Sequence, residues 1–545
     1  MRCFTVPTGH KTLRLDLFLA RHLDEDGLSR EKIKQLIAEG KVKVNGLART
    51  RPSFLLHPGD ELHLSLEKQL SALTPEQGDL IVLYRDQTLA VLNKPAGLTV
   101  HPAPGLDSGT LVHRLLAHFP ELTEQEGFRP GIVHRLDKDT SGLMLVALTE
   151  ECRLALAAMF ARREVFKEYL ALCQGVPKQK SLVIDAPIGR DTANKSRMAV
   201  TMGGKEARSE ARLLHAGPLM RFALMAVRIV TGRTHQVRVH MRHIGHPLWG
   251  DKIYGRISKK YKPGPARKAP QRQMLHAWKL VFRHPLPHKA GLCGEKGDEL
   301  HFICPPPADF AQAARCLSRR TLRVVLTGSP GCGKSTLMNI MRDKGFPVFS
   351  ADACVADLYA SGGDGRRLLR QYFGNRFAPD DENAPVDKKA LGAAMAGDDA
   401  LRRDIEALIH PLVHHAVAVF WQDCETADAN LAFAEIPLYL ESGARKADTA
   451  VPKTAPLLVG IDCPLAQRFV RLESKRHWSA ETIARMESWQ WPEDKKMRAC
   501  DLLVDNSRDL EHLHVGADHL LALLENEAKR RLQDEVEVME ALWTN

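Results

Sequence analysis

Residues 322–345 read LRVVLTGSPGCGKSTLMNIMRDKG, and this stretch sets the architecture of the C-terminal half. A short β-branched apolar run ends at Gly328, a glycine-rich turn comes next, and helical apolar spacing opens after it. GSPGCGKS at 328–335 is therefore a complete P-loop in its strand–turn–helix setting. Its glycines let successive backbone N–H groups face phosphate oxygens, at a helix N-terminus where negative charge is favoured. Lys334 is expected to bridge the β- and γ-phosphates of ATP, and Ser335 to ligate Mg²⁺. Gly328, Gly331, Cys332, Gly333, Lys334, Ser335 and Thr336 are the candidate nucleotide contacts.

Beyond the loop, strand-like runs alternate with helical ones: FPVFSAD (346–352), LAFAEIP (431–437) and LLVGIDCP (457–464). That alternation predicts an α/β domain with a parallel sheet, placed at 321–530 and followed by a C-terminal tail at 531–545. Just ahead, PPPADFAQAARCLSRR (305–320) has the proline cluster and polar ending of a domain junction, and 308–320 is expected to be a linker.

At 545 residues the chain exceeds one hydrophobic core, and its 44% hydrophobic and 26% charged residues exclude a disordered polymer. No apolar run is long enough for a membrane helix, so no membrane partner is expected. The start, MRCFTVPTGHKTLRLD, does not read as a signal peptide. Eleven cysteines without a CxxC pair suggest reduced thiols in a cytoplasm, with neither a zinc site nor a disulfide framework. The charge is asymmetric. Residues 1–320 hold 50 Lys and Arg against 31 Asp and Glu, and the remainder 27 against 35. A basic front half points to a polyanion such as nucleic acid, although solubilising lysines give the same composition. No protein partner can be inferred.

In the front half, residues 11–38 predict two short amphipathic helices, the second capped by Ser29. Two strands come after them, GKVKVNG with its Asn45-Gly46 turn and DELHLSL. Arg30, Lys32, Lys34, Lys41 and Lys43 cluster here. This pattern over 1–70 resembles the alpha-L RNA-binding domain first seen in a small-subunit ribosomal protein, which implies RNA contact through those five residues. Residues 69–78 look like a linker. From 79 to 307 many short strands, among them LIVLYRD, LAVLNKP, LMLVALT, KEYLALCQG, RFALMAVRIVTG and ELHFICP, predict a mixed, mainly antiparallel α+β sheet. A helix is expected over 151–163, and the basic, proline-rich 256–272 reads as a mobile loop.

Asp137 lies in GIVHRLDKDTSG (131–142), among Arg135, Lys138 and Asp139, before the apolar strand LMLVAL. An aspartate held near cations stays ionised and available as a nucleophile. Taken alone, a charged turn before a strand is common. However, NKPAGLTVHPAPG (93–105), this stretch, TGRTHQVRVHMRHIGHPLWGD (231–251) and LHA (275–277) together, in order, resemble the motifs of RluA/RluD-type pseudouridine synthases over about 80–305. The resemblance implies that Asp137 attacks a target uridine, whose base detaches, turns and rejoins its ribose through carbon, without a cofactor. Arg238 would pair with Asp137, Tyr169 stack on the flipped base, and Arg135 help hold the uridine out of its helix. His235 and His240 are expected to orient Arg238 and its strand rather than bind metal, since no acidic or Cys partner sits at ligand spacing.

The rear half resembles dephospho-CoA kinase over roughly 322–525, through FPVFSADACVADLY, IEALIHPLV with His410-Pro411, AEIPLYLESG (434–443) and DLLVDNS (501–507). The resemblance implies that Asp352 accepts the proton of the 3′-hydroxyl of dephospho-CoA as it attacks the γ-phosphate. Glu435 would be a Walker-B-like acid near the metal, Arg476 would begin a lid, and Lys496 would contact phosphate there. Departures are Ser350 where the family usually has Asp, Pro330 and Cys332 inside the loop, and a longer segment at 444–456. Cys332, at a helix N-terminus, is expected to favour the thiolate. The whole chain is expected to be a bifunctional cytoplasmic enzyme acting on RNA, ribosomal RNA foremost, and on dephospho-CoA with ATP and Mg²⁺. The alternatives are another acceptor for the kinase half, or a nucleotide-sensing module without turnover.

Overall fold

The computed structural model describes all residues except 1, 8–12, 24–29, 65–72, 103–105, 125–129, 195–196, 256–269, 288–289, 291–298, 382, 437–438, 441–454, 489 and 545. The basic stretch 256–269, the Ser29 cap and most of 444–456 therefore lie outside the described residues.

The N-terminal unit packs the helices Leu15–His22 and Arg30–Ala38 on an antiparallel sheet in the order Arg2–Thr5, Glu61–Leu64, Val42–Val44, Leu47–Ala48. Leu15, Phe18, Leu19, Ile33 and Ile37 meet Val42, Val44, Leu62 and Leu64 in its core. Asn45 and Gly46 both take positive φ, +50° and +80°, the twist a two-residue hairpin demands. Leu13 is a strand residue, paired with Leu56, rather than the start of the first helix.

The second unit of the front half is built on a nine-stranded mixed sheet. Its order runs Ser181–Asp185, Arg208–Ala216, Phe222–Ile229, Phe166–Gln174, Leu275–Arg283, Ser141–Ala147, Leu89–Lys94, Ile81–Arg85, with Glu299–Ile303 also paired to Leu275–Arg283. Every ladder is antiparallel except one, where Ser141 and Gly142 run parallel to His276 and Ala277. Gly142 has φ +113°, and a Cβ there would stand 2.2 Å from the Ala277 carbonyl oxygen. Only glycine lets the chain leave the DKDTS turn and enter the sheet so close to LHA.

The rear domain has a five-stranded sheet in the order Val348–Ser350, Leu431–Glu435, Leu322–Thr327, Leu457–Asp462, Leu502–Asp505, parallel throughout as the strand–helix alternation implies.

Two expected boundaries are corrected. The linker at 308–320 is instead the helix Ala308–Ser318, with Phe310, Ala314 and Leu317 buried. The tail at 531–545 continues the 35-residue helix Leu510–Thr544. The first half of that helix packs into the rear core through Leu513, Leu520 and Leu524. Its second half sends Val536, Met539 and Trp543, beside Phe310, against Leu170, Leu172, Phe222, Leu224 and Trp278 of the front sheet. The Trp278 indole N–H donates to the Trp543 carbonyl at 2.8 Å. Strand Phe166–Gln174 explains why. Its side chains alternate, and the face opposite Tyr169 is apolar and must be covered.

Candidate active sites

The cleft of the front domain, about 470 Å³, is lined by Arg135, Asp137, Tyr169 and Arg238, so the fold brings together residues more than 100 positions apart. The Thr140 N–H closes the DKDT turn on the Asp137 carbonyl at 3.0 Å. Opposite, TGRTHQ turns through His235, in the left-handed region at φ +58°, and opens the helix Gln236–His243. Gln236 locks that turn, accepting from the Thr231 hydroxyl and the Arg233 N–H and donating to the Arg208 carbonyl.

Arg238 is the hub. Its Nη1 donates to Asp137 Oδ2 at 2.9 Å, while Nε and Nη2 grip both oxygens of Asp251 at 2.6 and 2.9 Å. Burial works against the Arg238 cation, but Asp251 and then Asp137 outweigh it and raise its pKa. Burial likewise opposes the Asp251 carboxylate, and the hydrogen bond and charge of Arg238 reverse that and lower its pKa. The Ile253 and Tyr254 N–H groups also donate to Asp251. The Arg238 guanidinium lies 5.0 Å from the Tyr254 ring centre. Asp251 was given no role from sequence, though it is the one acid in the otherwise basic stretch 231–251.

Tyr169 is buried, and its phenol pKa is raised by burial and by the Asp137 charge. Arg135 is exposed, with Nη1 3.3 Å from His101 Nε2. His235 Nε2 stands 3.8 Å from Asp137 Oδ1, and its Nδ1 lies 2.9 Å from the Tyr254 hydroxyl. His240 does not touch Arg238 but holds the element that carries it, which is a helix rather than the expected strand. It lies between the Ala186 carbonyl and the Ser209 hydroxyl, 2.9 Å from each, and fastens its helix to the sheet. Lys94, of NKPAG, is fully buried and donates to the carbonyls of Pro95, Leu98 and Lys138, anchoring the Asp137 loop.

In the N-terminal unit Lys34 and Lys43 are exposed and Lys41 is half-buried. The side chains of Arg30 and Lys32 lie outside the described residues.

In the rear domain Gly328, Gly331 and Gly333 all have positive φ, and Lys334 begins the helix Lys334–Asp343. Lys334 Nζ donates to the Gly328 carbonyl at 2.8 Å. Ser350 and Leu326 both register with Glu435, so the strand ends converge beside the loop. Glu435 is buried, and burial raises its pKa against the pull of Lys334; Asp352 and Arg476 also act on it, and it hydrogen-bonds Ser335. Asp352 is exposed in the first turn of Ala351–Leu358, whose N-cap Ser350 accepts from the Ala353 N–H at 3.3 Å. Thr336 sits half-buried in the first turn of Lys334–Asp343. Arg476 ends the helix Leu465–Arg476, its guanidinium 5.3 Å from the Trp478 ring centre. Lys496 is buried, with its ammonium donating to Gln490 Oε1 at 2.5 Å.

Cys332 requires correction. Its side chain is fully buried, and burial raises its pKa despite the nearby Lys334, so the thiol form is held. Two residues not singled out from sequence shape this loop. Asn506 donates to the Cys332 carbonyl at 2.7 Å, and buried Arg468 joins Glu487 and Glu493 while donating to the Pro330 carbonyl at 3.4 Å. Asn506 is visible in the DLLVDNS stretch but has no signature of its own.

Among family models, residues 13–62 match the S4 domain, 88–243 RNA pseudouridylate synthase, and 322–512 dephospho-CoA kinase. An uncharacterized RNA pseudouridine synthase, YlyB of Bacillus subtilis (strain 168), is 38% identical over 310 residues, 56% of this chain and 95% of the relative. Ribosomal large subunit pseudouridine synthase D of Zymomonas mobilis is 41% identical over 295 residues, 52% and 92% respectively. The solved dephospho-CoA kinase of Campylobacter jejuni has 18% identity over 37% of this chain and 97% of its own, with a TM-score of 0.28.

Proposed function

We propose residue roles from the premise that this chain belongs to the RNA pseudouridine synthase family and carries an S4 domain and a dephospho-CoA kinase domain besides. Asp137 is the nucleophile toward the target uridine. Arg238, fixed by Asp251, keeps the carboxylate aimed, and Tyr169 offers its ring to the extruded base. Removing a base from its stack costs a few kcal/mol, and aromatic stacking returns about 1–3 kcal/mol per base. Arg135, at the exposed mouth, helps hold the nucleotide out. Arg30, Lys32, Lys34, Lys41 and Lys43 track the RNA backbone. Ribosomal RNA is the substrate class we favour, because relatives bearing that name align with the front half. The observation that carries this reading is the Arg238 guanidinium shared between Asp137 and Asp251 inside the cleft.

In the rear domain Lys334 and the loop amides grip ATP, and Asp352 takes the proton of the acceptor hydroxyl. Arg476 and Lys496 belong to the segment that covers the phosphates. The Ser335 hydroxyl, hydrogen-bonded to the Glu435 carboxylate, suits a hard divalent cation, so Mg²⁺ fits here. Bound, it would neutralise charge on the phosphates. Ser350 caps the Asp352 helix as aspartate would, so the departure from the family pattern leaves Asp352 in place. Work on RNA, ATP and dephospho-CoA belongs in the cytoplasm. Among the described residues no helix is long and apolar enough to cross a membrane.

Two assays test these readings separately. Pseudouridine mapping of cellular RNA with and without Asp137→Asn should show loss of one or a few discrete sites. A coupled ADP-release assay should show turnover with dephospho-CoA and none with shikimate or nucleoside monophosphates. Turnover only with another acceptor would overturn the kinase assignment.

A further inference from the structure

Lys167 lies two residues before Tyr169 on the strand Phe166–Gln174, and both side chains line the front cleft. A register shift between Glu168 and Tyr169, where this strand meets Leu275–Arg283, sits between them and re-aims the pair. The ammonium is 4.8 Å from the Phe160 ring centre, and a Cβ on Gly232, in the TGRTH turn, would stand 4.0 Å from it. Besides Arg238, the cleft thus holds a cation on the wall that carries the tyrosine.

Lys167 is half-buried, and it differs from the buried cations of the front domain in the partner it lacks. Arg238 has two carboxylates, and buried Lys94 directs its protons at three carbonyls. Among the described residues no carboxylate pairs with Lys167. Burial alone pushes its pKa down to about 8, with no acid offsetting it. A cation–π contact recovers only about 0.5–2 kcal/mol, which does not replace a charged partner for an ammonium partly withdrawn from water. A half-buried cation with no carboxylate beside it, on the wall of a substrate cleft, is explained when the substrate brings the anion.

We infer that Lys167 binds a backbone phosphate of the nucleotide drawn into the cleft, on the strand that presents Tyr169 to its base. The inference rests on the pseudouridine synthase reading above. The base, stacked on Tyr169, and the phosphate, held by Lys167, then fix the ribose between them, over Asp137. Arg135, Arg163 and Arg233 around the same cleft make its mouth basic as well.

The test uses the full chain and RNA from a strain lacking it. Lys167→Met should raise KM about tenfold with kcat changed less than about threefold, and should flatten the slope of log kcat/KM against log salt by about 0.7–0.9. Lys167→Arg should restore the salt slope. The thermal midpoint of Lys167→Met should stay level or rise, because a partly desolvated charge without a carboxylate partner is removed. An unchanged salt slope, or a lowered midpoint with kcat falling instead of KM rising, overturns the assignment and leaves the synthase reading standing. If the wild type forms no pseudouridine on this RNA, both fall together.

Discussion

Arg272 clasps Asp309 with two hydrogen bonds of 2.6 and 2.8 Å, and its remaining amino group donates to the Asp139 carbonyl at 3.1 Å. One guanidinium therefore ties the helix leading into the rear domain to the loop that carries Asp137. Asp309→Ala should loosen that loop without touching substrate. The pair is half-exposed at Asp309, so about 1 kcal/mol is at stake, or a fall in kcat of about fivefold with KM unchanged. Single-turnover pseudouridine formation measures it, with faster hydrogen exchange at 136–140 as the structural check.

Asp251 should matter nearly as much as Asp137. Its side chain is fully buried and takes two of the three Arg238 bonds. Asp251→Ala leaves a buried guanidinium half-paired, a change that costs about 3–5 kcal/mol. Thermal denaturation of the front domain should show that loss, with pseudouridine formation down by at least about 100-fold. Wild-type activity in the variant would show that Asp137 alone suffices to hold Arg238.

The front domain should weaken in mild acid through His276. Its Nε2 lies 2.8 Å from the Cys304 carbonyl, which can only accept, so Nδ1 is bare and accepts from Ser141 at 3.0 Å. Burial pushes its pKa down to about 4, from an ordinary value of 6.5. The unfolded chain therefore takes the proton first, and stability falls as pH drops from about 6.5 to about 4, by roughly 3 kcal/mol. His276→Gln should flatten that part of the thermal midpoint–pH curve relative to wild type.

Gly333→Ala should silence one half of the protein and spare the other. At φ +105° a Cβ would stand 2.2 Å from Asn506 Nδ2, which supports the Cys332 carbonyl. ATP turnover should drop below detection while pseudouridine formation stays within about twofold, because the added Cβ meets only Asn506 and Arg471 of the rear domain.

Trp543→Ala tests the seam between the domains. The indole is buried against Phe310 and the back of the front sheet. Truncating such a side chain costs about 3–5 kcal/mol. The front domain's melting transition should move down, and binding of a hydrophobic dye should appear before the rear domain melts.

Much was legible because the motifs are local. The P-loop needs one strand, one turn and one helix start within 20 residues, and every glycine with positive φ there is visible as a glycine. Asp137 and Arg238 were singled out by the ordered set of motifs that resembles the RluA/RluD-type synthases, because a charged turn or an arginine by itself marks nothing. Asp251, Arg468 and Asn506 were not, because an acid, an arginine or an amide gains its role only from a partner far along the chain. The misreading of Cys332 has the same root. A helix N-terminus argues for a thiolate, but burial, which no local pattern reports, overrides it.

From its residues alone this chain declared two chemistries, a basic front and a phosphate-gripping rear, since backbone freedom, charge and periodicity are properties of short segments. Folding in three dimensions decided that the supposed linker and tail are helices clamped to the sheet's apolar back, and that Asp251 backs Arg238. Burial and ion pairing depend on which distant surfaces meet, and that is settled only when the whole core closes.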